Sequence, residues 1–117
     1  MRLPGDGSRR ASRLAVTEAP IDALSLAALE AMRADTLYAA TGGGMGPGTV
    51  QAIERMLAAV AAVPGALLVS GTDANAAGER FAVRHAQLAA AACVAFARLR
   101  PPAGVDWNEV LKQESAP

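Results

Sequence analysis

The sequence predicts an α/β domain with a mainly parallel, doubly wound sheet, and three observations carry that prediction. Apolar runs of four or five residues alternate with longer segments of helical periodicity, the joints between them are short and rich in Gly, Pro, Asp and Thr, and aromatics are only 3% of the chain, leaving a core of Ala, Leu, Val and Ile. Strands joined through helices require right-handed crossovers, which make them parallel and cover the sheet with helices. A chain of 117 residues is long enough for one core. With 52% hydrophobic and 19% charged residues it is too apolar for disorder, and no apolar run reaches the length of a membrane span.

Residues 1–11 hold Pro4, Gly5, Gly7 and Ser8 among charges, the composition of a flexible lead-in or the cut end of a longer chain. The domain proper is expected over 12–113, with 114–117 as a tail. Leu14–Thr17 reads as a strand covered on both faces, ending at Glu18. Pro20 opens a helix, Asp22 suits its positive end, and Ile21, Leu24, Ala28 and Met32 recur at helical spacing up to about Arg33. Thr36–Ala40 is the second strand, followed by the glycine-rich loop 41–48. Thr49 can cap the next helix, whose apolar stripe is Val50, Ile53, Leu57 and Val60. Ala66–Ser70 forms the third strand, 71–75 a polar turn, Ala76 to about Ala91 an alanine-rich helix, and Cys93–Ala97 the fourth strand. Asp106, with Glu109 three positions on, has the pattern of a capping box for a last short helix.

Lys and Arg number 11, as do Asp and Glu, so net charge offers no general attraction to nucleic acid and any contact must come from a local patch. Cys93 stands alone, which excludes an internal disulfide and a multi-cysteine zinc site and leaves the role of a small buried hydrophobe. The first ten residues lack the apolar region of a secretion signal, so a cytoplasmic protein without membrane contact is expected.

In an open parallel sheet the carboxyl ends of the strands converge on a crevice, which makes Glu18, residues 41–44, Asp73 and Asn75 the functional candidates. Two carboxylates brought together there repel one another, and a hard divalent ion relieves the repulsion. The alternative is that Glu18 and Asp73 only serve the helices that follow them. The glycine loop lacks the Lys-Ser/Thr ending of a P-loop and reads more simply as a connection. Arg80 and Arg84 lie four apart and can meet a nucleic-acid backbone together, although a solvated face with Glu79 nearby explains them too. His85, the sole histidine, reads as a partly exposed side chain, and Trp107 as the residue that seats the last helix on the core.

Taken together, Leu14–Ser25, Thr41-Gly42-Gly43, Thr72–Arg80 and Asp106–Leu111 resemble a Toprim domain, closest to the Toprim-like domains of primase and relaxase-type proteins on plasmids and other mobile elements. The resemblance spans about residues 12–112. It implies a Rossmann-like fold with a four-stranded, mainly parallel sheet, and a site using Mg²⁺ or Mn²⁺ for phosphodiester or nucleotidyl-transfer chemistry on DNA, within a larger replication or mobilisation protein. By position Glu18 matches the family glutamate, an acid/base or metal ligand, and Asp73 the first aspartate of the D-x-D motif. Asn75 stands at the second aspartate, where its amide oxygen can still ligate an ion but adds no charge. Asp22, Gly43, Gly78 and Asp106 belong to the supporting motifs. Two functions follow as alternatives: an enzyme domain built on Glu18 and Asp73, or a module weakened at Asn75 that binds nucleic acid or a partner domain. An unrelated doubly wound fold is a third. A receiver-like site lacks its phosphoacceptor and lysine pair here.

Overall fold

The computed structural model describes residues 2–3, 11–42 and 44–115. The strands are β1 (Arg2–Leu3), β2 (Arg13–Thr17), β3 (Thr36–Ala40), β4 (Leu67–Ser70) and β5 (Ala95–Arg98), and the helices α1 (Pro20–Leu29), α2 (Pro47–Ala61), α3 (Ala76–Ala91) and α4 (Trp107–Ser115). They form one sheet in the order β1-β3-β2-β4-β5, in which β3, β2, β4 and β5 are parallel and β1 pairs antiparallel at the edge. The four parallel strands and four helices are the Rossmann-like arrangement expected. Within the expected lead-in, Arg2 pairs with Ala39 and Leu3 with Tyr38, while residues 4–10 lie outside the described residues.

Alternation along the strands sorts side chains to two faces. Leu14, Val16, Ala39 and Leu68 pack under Ile53, Leu57 and Val60 of α2 and Leu88 and Ala89 of α3. Ala15, Tyr38 and Val69 pack with Leu26 and Ala27 of α1 and Trp107 of α4. Every residue of β2 is buried, as expected of a central strand covered on both faces.

Helix α1 departs from its sequence pattern in two ways. It ends at Leu29 rather than near Arg33, because Ala31 and Met32 take positive φ of 56° and 53° and close the helix with Ala31 N–H donating to Ala28 O at 3.1 Å and Met32 N–H to Ala27 O at 2.7 Å. Its apolar stripe is also turned outward: Ile21 is 50% exposed, Leu24 43% and Met32 46%, while Asp22, Ala23, Ser25, Leu26 and Ala27 are buried. Small residues bring α1 close to the sheet, and a buried salt-linked group anchors its end. Glu30 accepts from both Nη atoms of Arg13 at 2.8 Å and from Tyr38 Oη at 2.7 Å. Burial works to raise the Glu30 pKa, but the hydrogen bonds from Arg13 and Tyr38 overcome it and hold the carboxyl below its usual range.

Two further positions differ from expectation. Thr49 does not cap α2, which starts at Pro47 behind Gly46 with no side-chain cap. Cys93 is exposed rather than buried, since α3 closes through Cys93 N–H to Ala90 O at 3.1 Å and Val94 N–H to Ala89 O at 2.9 Å, with Cys93 at φ 58°; β5 accordingly starts at Ala95.

Candidate metal and nucleic-acid site

Strand order decides where the polar residues meet. The connection from β2 leads to β3 on one side and that from β4 to β5 on the other, so the crevice of the sheet opens between the carboxyl ends of β2 and β4. Val16 is in register with Ser70, and Gly71 N–H donates to Val16 O at 2.8 Å, which sets the two exits side by side. Glu18 leaves one exit and Asp73 the other. The Asp73 amide donates to Glu18 Oε1 at 3.1 Å.

The crevice is acidic beyond this pair. Burial raises the Asp73 pKa, and the charges of Glu18 and then Asp106 push it the same way, with Arg98 pulling back. Burial also raises Asp22, against a hydrogen bond from the Asn108 amide, and the charges of Asp106, Asp73 and Glu18 add to the rise. Four acids from three parts of the chain thus share one field. Asp22 and Asp106 have structural duties as well: Asn108 N–H donates to Asp22 Oδ1 at 3.3 Å, and Glu109 N–H to Asp106 Oδ1 at 2.8 Å, which together hold the start of α4. The Glu109 side chain does not complete a capping box but lies 3.9 Å from Lys112 Nζ.

The turn 73–75 is held tightly. Asn75 caps α3, its Oδ1 accepting from Gly78 N–H at 2.7 Å, and Thr72 Oγ1 donates to Gly78 O at 2.7 Å. A Cβ on Gly78 would collide with the Asp73 carbonyl oxygen, so only glycine lets α3 begin this close to the turn. A cavity of about 210 Å³ lies between Asp73-Ala74-Asn75 and Gly104-Val105-Asp106. A larger groove of about 430 Å³ runs between β3 and α2, where the lining is apolar but for Arg55, and holds none of these acids.

Arg80 and Arg84 are both exposed on α3. Arg84 Nη1 donates to Gln87 Oε1 at 3.3 Å, while Glu79, the partner that a solvated face offered them, is taken by Arg98 and Arg100. Gly43 lies outside the described residues. Trp107 seats α4 as expected, its indole N–H donating to Gly71 O at 2.7 Å.

Two residues of this region escaped the sequence reading. His85 is fully buried rather than partly exposed, with Nδ1 2.7 Å from Ser70 Oγ; burial, with the charge of Arg98, lowers its pKa to about 4. Arg98 spreads its guanidinium over the backbone of the β4 exit, donating to Ser70 O at 3.0 Å, Thr72 O at 2.7 Å and Asp73 O at 2.9 Å. No motif marks either one. A histidine in the third turn of an alanine-rich helix and an arginine at a strand end become informative only once β4 and β5 are paired.

A parallel sheet with carboxylates gathered at its switch point defines the chain as an α/β domain whose crevice opens at the strand carboxyl ends. A family model described as Toprim-like matches residues 15–111, and the chain belongs to that family. Comparison with curated proteins and with solved structures found no match. Toprim-like domains generally serve Mg²⁺-dependent nucleic-acid metabolism and bind that ion. The donor chemistry here fits it: the crevice offers hard carboxylate oxygens, and burial first, then the charges of Glu18 and Asp106, raises Asp73. Among the described residues no group of three or more His, Cys, Asp or Glu side chains is placed to hold a metal ion. No helix among them is long and apolar enough to cross a membrane.

Proposed function

We propose that this domain supports Mg²⁺-dependent nucleotidyl transfer on DNA of the primase kind, within a larger cytoplasmic replication or mobilisation protein. The observation that carries the reading is the juxtaposition of Glu18 and Asp73, one carboxylate accepting from the other residue's amide at 3.1 Å, in a crevice where Asp22 and Asp106 add negative charge. Glu18 and Asp73 would hold the ion, which when bound supplies charge neutralisation at phosphate oxygens. The chain supplies orientation: the Asp73 turn is fixed by Gly78 and by the Asn75 cap, and Glu18 can take or give a proton at the reacting oxygen. Arg80 and Arg84, exposed and free of Glu79, would bind the DNA backbone. Mn²⁺ should substitute for Mg²⁺. Glu18→Gln and Asp73→Asn are each expected to abolish Mg²⁺-dependent product formation by the intact protein. Full activity in both variants removes these carboxylates from the mechanism.

One observation favours a second reading, a module that docks nucleic acid or a partner domain without chemistry. Asn75 brings no charge, and its Oδ1 is already engaged by Gly78 N–H, so the ion would lose its third protein ligand. Binding to single-stranded DNA would then be independent of Mg²⁺ and steeply dependent on salt. Replacing Arg80 and Arg84 together by Ala should reduce the slope of log affinity against log salt by about 1 to 2. An unchanged slope places the contact elsewhere.

A further inference from the structure

We propose that Arg98 is the positioning residue of the acidic crevice, holding the Asp73 main chain from the side opposite Glu18 so that the Asp73 carboxylate is left free for a cation; the inference rests on the reading of Glu18 and Asp73 as ion ligands.

The main chain of Asp73 is held on both sides. Its N–H is taken by Glu18 Oε1 at 3.1 Å and its carbonyl by Arg98 Nη2 at 2.9 Å, while the space behind that carbonyl is closed by Gly78. One peptide unit on each side of the residue is therefore held by a charged group, and such hydrogen bonds are roughly twice as strong as neutral ones. The same guanidinium reaches along the whole exit of β4, with Nη1 donating to Ser70 O at 3.0 Å, Thr72 O at 2.7 Å and Leu99 O at 3.2 Å. Its remaining Nη2 donor goes to Glu79 Oε1 at 2.9 Å.

An arginine beside an acidic crevice would ordinarily quench it by pairing with a carboxylate. Here both Nη atoms are already bonded, to four carbonyls and Glu79, and the Arg98 side chain is only 10% exposed, so it has little freedom to swing toward Asp73. Glu79 keeps the fork in place from outside and is itself pinned by Arg100, whose Nε and Nη2 donate to its two oxygens at 2.8 and 3.0 Å. The planar fork is what the task needs. A lysine ammonium at the same place keeps the charge but cannot span four carbonyls on separate residues.

The test uses Arg98→Lys and Arg98→Gln in the full chain, with Mn²⁺ affinity read by electron paramagnetic resonance and folding read by circular dichroism. Both variants are expected to fold and to bind Mn²⁺ at least tenfold more weakly, and the Asp73 amide of metal-free Arg98→Lys should exchange with solvent at least tenfold faster while the Ile53 amide in α2 is unchanged. Affinity within twofold of the parent in either folded variant overturns the proposal. A readout on the parent protein applies even if the variants do not fold: separate, slowly exchanging ¹⁵N signals for the two Nη groups of Arg98 support the clamp, and one averaged signal overturns it. If the parent itself binds no Mn²⁺, the ligand reading of Glu18 and Asp73 fails, whereas the clamp is still judged by the Nη signals and the Asp73 exchange rate.

Discussion

Protonating His85 means placing a charge in a fully buried site whose hydrogen-bond partner is the Ser70 hydroxyl 2.7 Å away. The unfolded chain takes up that proton around pH 6.5, the folded chain only at about 4. Between those values the unfolded state binds more protons, so stability rises with pH and the contribution is complete above pH 6.5. Chemical denaturation is expected to show a loss of up to about 3 kcal/mol from this group on going from pH 7 to pH 4. His85→Leu should flatten the curve over that window, and at pH 7 it should cost about 1 to 3 kcal/mol because Ser70 Oγ is left without its partner. A parent curve no steeper than that of His85→Leu would mean that the ring accepts its proton in the folded state.

At the scale of the element, the start of α3 carries most of the site's geometry. Alanine is ordinarily preferred to glycine inside a helix by about 1 kcal/mol. At Gly78 the sign should reverse, because the added methyl group meets the Asp73 carbonyl and lies 2.8 Å from its carbon. Gly78→Ala is expected to lose about 2 kcal/mol or more in urea unfolding, with the largest ¹⁵N shift changes at Asp73 and Ala74. A neutral or stabilising outcome would show that the turn can move away without cost. The five-residue polar turn and the helix after it were both legible in the sequence, and the family resemblance placed Gly78 among its supporting motifs. The closeness of the contact was not legible, since nothing in the spacing of Asp73 and Gly78 says how far the carbonyl tilts toward the helix. Helix α1 shows the opposite case. Its strongest periodic pattern, Ile21, Leu24, Ala28 and Met32, faces solvent, while the buried side is built from Asp22, Ala23, Ser25, Leu26 and Ala27. Close approach to the sheet favoured small side chains over large ones, and a periodicity argument cannot weigh those against each other.

At the scale of the whole molecule, the crevice carries an electrostatic cost, from the burial of Asp73 first and from the neighbouring charges of Glu18 and Asp106 second. The fold raises the pKa of Asp73, so the neutral carboxyl stabilises it at low pH and that contribution is lost as pH rises through the folded pKa. At pH 7 the ionised group is therefore a net cost, which for a half-buried carboxylate screened by solvent is a few tenths to about 1 kcal/mol. Asp73→Asn is expected to raise the Tm in EDTA by a few degrees and to abolish the further rise that saturating Mg²⁺ would produce in the parent if the proposed site binds it, about 2.7 kcal/mol at one hundred times Kd. If calorimetry finds the variant less stable than the parent in EDTA, the crevice carries no such strain.

By itself the sequence determined the four parallel strands, the helices that follow them in outline, the two-sided core of small aliphatic residues, and the positions at which acids leave the strands, because each depends on a few neighbouring residues and on periods of 2 and 3.6. Only the tertiary structure decided that β4 lies beside β2, which sets Glu18 against Asp73 across 55 positions of chain. It also decided that β5 lies beside β4, which brings Arg98 to the Asp73 carbonyl and leaves His85 enclosed. Strand order is settled by which faces bury best when all the elements compete at once, and no local stretch of residues contains that comparison.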